Sequence, residues 1–433
     1  RTKIPILILP LIFSTLRTFT RGDFYRFISI FIINLLIVTL ANTWRLINFD
    51  FIDIRDISVH ISHIILSLMI SMALFFMGYF LYRRRGISIW MKFGTVLLIA
   101  WFLLYLVLSK SFTGLGVFFL TLIIMLIIYT FRSKNIWLKT GCILSILIVL
   151  LGGGLYLKSV VTDYYRVNPV DITTLDSVTA RGGSYTHYIE NRQTENGHYV
   201  WLYIQWWELR DSWSKRSEIS FDSTDLKGQQ IKFTLIRYLT SKGLRKDAEG
   251  VEQLSEKDVE AVEKGIANVV NLNLFSLRGR IYELLMGYEN YMTTGDPTGS
   301  SLMQRLEFWK ASWGIIRDNW IIGVGTGDMN EVFKHQYEKM NTKLAPHQRW
   351  RSHNQFMSIL IGFGVFGLIW LIFSLIYPAW VKQGFHDYFF LVFFIIATLS
   401  LLTEDTLESQ AGVSFFYFFY SFLLFGRRDQ DTL

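Results

Sequence analysis

Residues 353–380 read HNQFMSILIGFGVFGLIWLIFSLIYPAW, and the fold turns on them. A histidine and an amide open the stretch, and an apolar run follows from Phe356 to Trp380. At about 1.5 Å per residue such a run is long enough to cross the ~30 Å hydrocarbon layer of a bilayer as a helix. Gly362, Gly364 and Gly367 notch it, as small residues do where membrane helices approach closely, which predicts a packing role for them. The spacing therefore predicts a membrane span with His353-Asn354 at the water-membrane boundary. Outward from here, further apolar runs at about 24–42, 59–82, 88–108, 112–131 and 138–157 predict five more spans. Weaker, phenylalanine-rich runs at 4–18, 388–402 and 411–426 bring the total to about nine. The composition, 51% hydrophobic and 16% aromatic with a mean hydropathy of +0.32, is too apolar for one soluble globule. The chain reads as a mainly α polytopic membrane protein.

Basic residues stay on the cytoplasmic side. With alternating spans, Arg83-Arg84-Arg85, Arg132, Lys134, Lys139, Lys382 and Arg427-Arg428 fall on one side. That places the C-terminus in the cytoplasm. The Thr43–Ser58 loop, the Ser109–Thr113 turn and the long polar insert are then outside. The division is into an N-terminal transmembrane bundle (1–157), an outer, periplasmic α+β domain (158–353) and C-terminal transmembrane helices (354–433). The insert carries about 25 charges of each sign, so the net +8 belongs to the membrane part and is a topology signal. A nucleic-acid partner thereby loses its main support. The single cysteine, Cys142, lies in an apolar run, so the outer domain holds together without disulfides. An odd number of spans and the absence of an opening methionine suggest helices upstream of Arg1.

Within the insert, Tyr199 to Trp207 (YVWLYIQWW) is aromatic and β-branched, which predicts a strand. Ser255-x-x-Asp258 has the form of a capping box, followed at helical spacing by Val259, Val262, Ile266, Val269 and Val270. Leu302, Leu306, Trp309, Trp313, Ile316 and Trp320 predict an amphipathic helix near 302–320, its tryptophans suited to the membrane interface and Arg305 carried toward the headgroups. The glycines from Gly323 to Gly327 follow no strand, so they read as a turn between two helices rather than a nucleotide loop. Glu307 and Lys310 read as solvated, and His187, His198, His335 and His347 as surface residues.

Arg305-Leu306-x-x-Trp309, Gly323-Val324-Gly325-x-Gly327, His353-Asn354 and Gly364-x-x-Gly367 together resemble the O-antigen ligase and polymerase family of bacterial envelopes. The likeness is closest from about Ser300 to Trp370. Ser109-Lys110-Ser111 and Glu404-Asp405 support it more loosely. The resemblance implies an integral membrane glycosyltransferase of the C-type fold, inverting and metal-independent, in the bacterial inner membrane with its site on the periplasmic face. The implied donor is an undecaprenyl-pyrophosphate-linked glycan and the implied acceptor a hydroxyl of a lipid A-core sugar or a related surface glycan. Arg305 and the position of Lys110 are implied to grip the pyrophosphate, and His353 to assist the acceptor hydroxyl. Lys110 departs from the family's arginine, keeping the charge but losing the planar fork.

The chemistry asks for these residue types. Cleaving a sugar-phosphate bond leaves negative charge on the pyrophosphate, which a guanidinium can meet bidentately without titrating. Arg305 suits this role, with Arg278 and Arg280 as weaker candidates for the same anion. An acceptor alcohol needs a base, and histidine titrates near neutrality. His353 is that candidate, with Asn354 to orient the ring or bond a sugar hydroxyl. The bland alternatives are a helix cap for His353, a snorkelling residue for Arg305 and an interfacial anchor for Lys110. Asp50, Asp53 and Asp56, and Glu404, Asp405 and Glu408, are solvated acidic loops or, less simply, a divalent-metal site. Glu404, beside an apolar run, is alternatively placed to pair with Arg305 or orient His353. The remaining alternatives are a polymerase of the same superfamily, a protein O-oligosaccharyltransferase and a transporter; the last would show ionisable residues in mid-span.

Overall fold

The computed structural model describes residues 2–49, 51, 57–59, 61–83, 88–109, 111–273 and 276–427. Among them are sixteen α-helices and one two-stranded sheet. The first six helices are α1 (Ile4–Thr15), α2 (Arg21–Asn48), α3 (His63–Arg83), α4 (Ile89–Leu108), α5 (Phe112–Arg132) and α6 (Ile136–Tyr165). The polar middle of the chain holds β1 (Thr194–Glu195), β2 (His198–Tyr199), α7 (Trp206–Ser214), α8 (Ile231–Ser241), α9 (Ala248–Glu252), α10 (Glu256–Glu263), α11 (Leu277–Thr294), α12 (Ser301–Asn319) and α13 (Met329–Lys339). The chain closes with α14 (Gln355–Val381), α15 (Tyr388–Thr403) and α16 (Gln410–Phe425). Six of these, α2 to α6 and α14, are long and apolar enough to cross a membrane, and α1, α15 and α16 are shorter apolar helices. The chain is a multi-pass membrane protein.

Two compact units emerge, residues 1–147 with 287–433, and residues 148–286. In the first, α15 is central, packed by α3, α5, α14 and α16, while α1 lies along α16. Phe389, Phe390, Phe393, Ile396, Ala397 and Leu401 of α15 are fully buried. Its rings meet those of neighbouring helices edge-on, Phe76–Phe389 at 4.8 Å and Phe24–Phe389 at 5.0 Å between centroids. Sixteen residues span only about 24 Å. A helix surrounded by protein need not match the bilayer, because its main chain is satisfied internally and its side chains meet other side chains. By contrast α4 and α6 expose apolar side chains along much of their length, Trp90, Leu97, Leu104, Leu147, Leu151 and Leu155 among them. Such faces fit a lipid solvent.

At the other end of α15 from Thr403, Asp387 caps the helix by accepting from Phe390 N–H and binds Arg427 Nη1 through both carboxylate oxygens at 2.8 and 2.9 Å. Both side chains are buried, and the guanidinium lies over Phe24, 4.1 Å from the ring centre. Arg427 is thus neutralised inside the protein.

The second unit corrects part of the sequence reading. Of the expected strand only Tyr199 lies in one, at the end of β2; Ile204 makes isolated bridges to Thr186 and Lys246, and a helix begins at Trp206. The switch comes at Gln205, whose side chain accepts from the N–H groups of Trp207 and Glu208 and so caps α7. Aromatic residues then fill a helical core, with Leu209 and Trp213 packed against Leu235, Leu239 and Val262. The Ser255–Asp258 capping box is present. Its helix buries Val259 and Val262 but stops at Glu263, leaving Ile266, Val269 and Val270 outside it.

Candidate active site

Three segments of the first unit build the site: α12, the Trp350–Asn354 approach to α14, and the turn between α15 and α16. Helix α12 starts at a Ser300 cap and buries Phe308, Ala311, Ile315 and Ile316 against α13 and α14. The buried face is rotated from the expected tryptophan stripe, and Trp313 and Trp320 point outward, 61% and 55% exposed. Arg305 sits in the second turn.

Glu404, just past α15, joins the two sequence candidates. Arg305 Nη2 donates to Glu404 Oε1, and the other oxygen lies 3.1 Å from His353 Nδ1. All three side chains are part-buried, with exposures of 26%, 15% and 34% for Arg305, Glu404 and His353. With Nδ1 carrying the proton given to Glu404, Nε2 is the ring's acceptor. The ring also stacks on Phe308 of α12, centroids 5.4 Å apart. His353 has a left-handed backbone, φ +47°, uncommon for a residue with a side chain.

Asp405 holds that bend. Its Oδ2 accepts from His353 N–H at 3.1 Å, and its Oδ1 accepts from Ser358 Oγ at 2.7 Å and Ser352 Oγ at 3.3 Å. Burial pushes the Asp405 carboxyl above its ordinary value, against the pull of the Ser358 hydroxyl and His353. Ser352, Ser358 and Phe308 carry no motif, and nothing in their spacing points to them. Glu307 was expected in solvent but is buried. It accepts from the Tyr291 hydroxyl, Thr342 Oγ1 and Lys310 Nζ. Burial works against its charge, yet these donors hold its carboxyl below the usual value. His187 and His198 are half-buried; they bond to Tyr203 N–H and Asn168 within the second unit.

Asn354 is a helix cap rather than a ring partner. Its Oδ1 accepts from Met357 N–H and its Nδ2 donates to the Leu402 carbonyl, tying the start of α14 to the end of α15. Gly364 serves no helix-helix contact either. With φ +64° and ψ −166° it breaks α14, and the loop after α12 enters the break. Val324 and Gly325 donate to the carbonyls of Ile361 and Gly362, while Val365 donates to that of Trp320. A Cβ on Gly364 would lie 2.0 Å from the Ile321 carbonyl oxygen, and one on Gly323 2.6 Å from the Gly364 nitrogen. The glycines of 323–327 form the predicted turn, which occupies this break. The atoms nearest a Cβ on Gly367 belong to Phe363 and Ile359 of its own helix.

Arg278 and Arg280 lie in the second unit. Arg278 bonds the Tyr282 hydroxyl and approaches Asp163 at 3.4 Å; Arg280 pairs with Glu283 at 2.6 Å. Lys110 and the Asp50, Asp53 and Asp56 series lie outside the described residues. Of the last acidic turn, Glu408 accepts from Lys3 Nζ at 2.7 Å and, more weakly, from Gln355 Nε2 at 3.4 Å.

Comparison with known proteins bears on the segment that carries Arg305 and His353: residues 264–372 match the family model described as O-antigen ligase. That segment is similar to the O-antigen ligase family. Proteins of that family are membrane glycosyltransferases. Arg278, Arg280, Arg305, His353 and the α14 glycines fall inside the matched segment, while Glu404 and Asp405 come from beyond it. No curated protein matches the chain.

Proposed function

We propose that the protein transfers a preassembled polysaccharide from undecaprenyl pyrophosphate to a hydroxyl of a lipid A-core sugar or related surface acceptor, at the periplasmic face of the inner membrane. One observation carries the reading: a single carboxylate, Glu404, holds a guanidinium and an imidazole together. The acceptor oxygen attacks the anomeric carbon as the bond to the pyrophosphate breaks, and the leaving group departs with the electron pair. The acceptor proton passes to His353 Nε2, and the charge growing on the pyrophosphate is met by Arg305. Attack opposite the leaving group inverts the anomeric centre. The reading needs no metal, since the cation that faces the leaving group is a side chain.

Its test is glycan transfer in a host lacking its own ligase. His353→Ala is expected to lower transfer by about a hundred- to ten-thousandfold, the usual worth of a general base. Arg305→Ala should abolish it, with insertion and abundance unchanged for both. Normal surface polysaccharide from either variant would remove the mechanism. Purified enzyme is expected to work in EDTA; loss restored by magnesium would transfer the chemistry to a metal. Long lipid-linked polymer accumulating in a deletion strain identifies a ligase, and single repeat units a polymerase.

A further inference from the structure

The α12–α13 hairpin ends in a tip that the site does not use. Trp320, Ile321 and Ile322 are large, apolar and exposed, Ile322 to 78%. They lie against the break in α14, where the main chain of 320–325 is bonded to that of 361–365, and Phe363 and Phe366 are exposed beside it. Five large apolar side chains are thus exposed around one main-chain junction, a concentration that soluble proteins rarely leave open to water. Below it the exposed side chains of α14 continue apolar, with Ile369, Trp370 and Phe373.

Two further features select the occupant. Residues 319–327 (NWIIGVGTG) contain no charge, whereas Arg317 and Asp318 precede them and Asp328 follows. The N–H groups of the tip's turn are also paired within the protein: besides the three bonds across the break, Gly323 N–H donates to the Asn319 carbonyl. A loop in water does not need such bonds, and one in hydrocarbon does. We propose that Trp320–Ile322 is a wedge inserted among lipid acyl chains, continuous with the lipid-facing side of α14, which anchors the helix bearing Arg305 to the bilayer. This depth does not depend on what the enzyme transfers.

The test is a nitroxide at position 322 of the full-length protein, Ile322→Cys with Cys142→Ser, in phosphatidylethanolamine–phosphatidylglycerol vesicles. Collision with oxygen is expected to exceed collision with a water-soluble nickel chelate severalfold, as for Ile372→Cys on α14. Lys334→Cys, on the polar face of α13, should give the reverse. A label at 322 that behaves like the one at 334 overturns the proposal. So does one shielded from both agents, which would indicate a protein partner. Trp320→Cys gives the same readout should the 322 variant fail to reconstitute.

Discussion

Glu404 is worth separating from Asp405 because the two adjacent carboxylates touch His353 in different ways. Glu404 meets the ring and Asp405 the main chain. Glu404→Gln keeps the size and a hydrogen-bonding oxygen but removes the charge shared with Arg305. Transfer is expected to fall by tens of fold, measured as initial rate on purified enzyme, with protein stability little changed. Asp405→Ala leaves the His353 N–H without its acceptor, at about 1–3 kcal/mol for a buried group left unpaired, while Ser352 and Ser358 keep their bond to each other. It should lower both rate and melting temperature, and Asp405→Asn should recover part of each. At this scale the sequence was informative about Arg305 and His353, whose motif spacing is distinctive. It was silent about Phe308, Ser352 and Ser358. A stacking ring and two buried hydroxyls are contributed by position in space, and no local pattern marks them.

At the scale of elements, the break in α14 separates glycines that look alike in sequence. Gly364→Ala forces a left-handed backbone on a side chain and drives a Cβ into the Ile321 carbonyl, so a loss of at least about 1–3 kcal/mol is expected. At Gly362 the added Cβ would meet only Met329 Sδ, at 3.6 Å, and Gly362→Ala should be nearly neutral. Thermal unfolding in detergent ranks the two. Length and hydropathy were enough to predict the long spans and the three short apolar helices, because a 20-residue apolar run has few other fates. They could not show that α14 is interrupted, since apolar residues flank the break on both sides. The YVWLYIQWW segment misled for a related reason. Its alternation has the period of a strand, but Gln205 supplies a helix cap near its end, and burial of Leu209 and Trp213 in a helical core prevails over aromatic propensity.

The molecule as a whole combines apolar helices with a polar second unit that has its own titrating interior. Lys246 is buried there, its Nζ donating to the Tyr199 carbonyl at 3.1 Å. Burial pushes it down to about 7, against the pull of Asp247. Between about pH 7 and 10.5 the unfolded chain therefore holds a proton that the folded one lacks, so this group makes stability rise with pH across that window. Lys246→Met should flatten that rise, seen as the difference between wild-type and variant denaturation midpoints at pH 7 and 9. An unchanged slope would mean the lysine stays charged. The central helix sets a different expectation. From Tyr388 to Leu401 no residue of α15 is exposed, so this helix has no permissive side. In a saturation mutagenesis screen its tolerance to substitution should show no helical rhythm, while α4 and α6 accept apolar exchanges along their outward stripes.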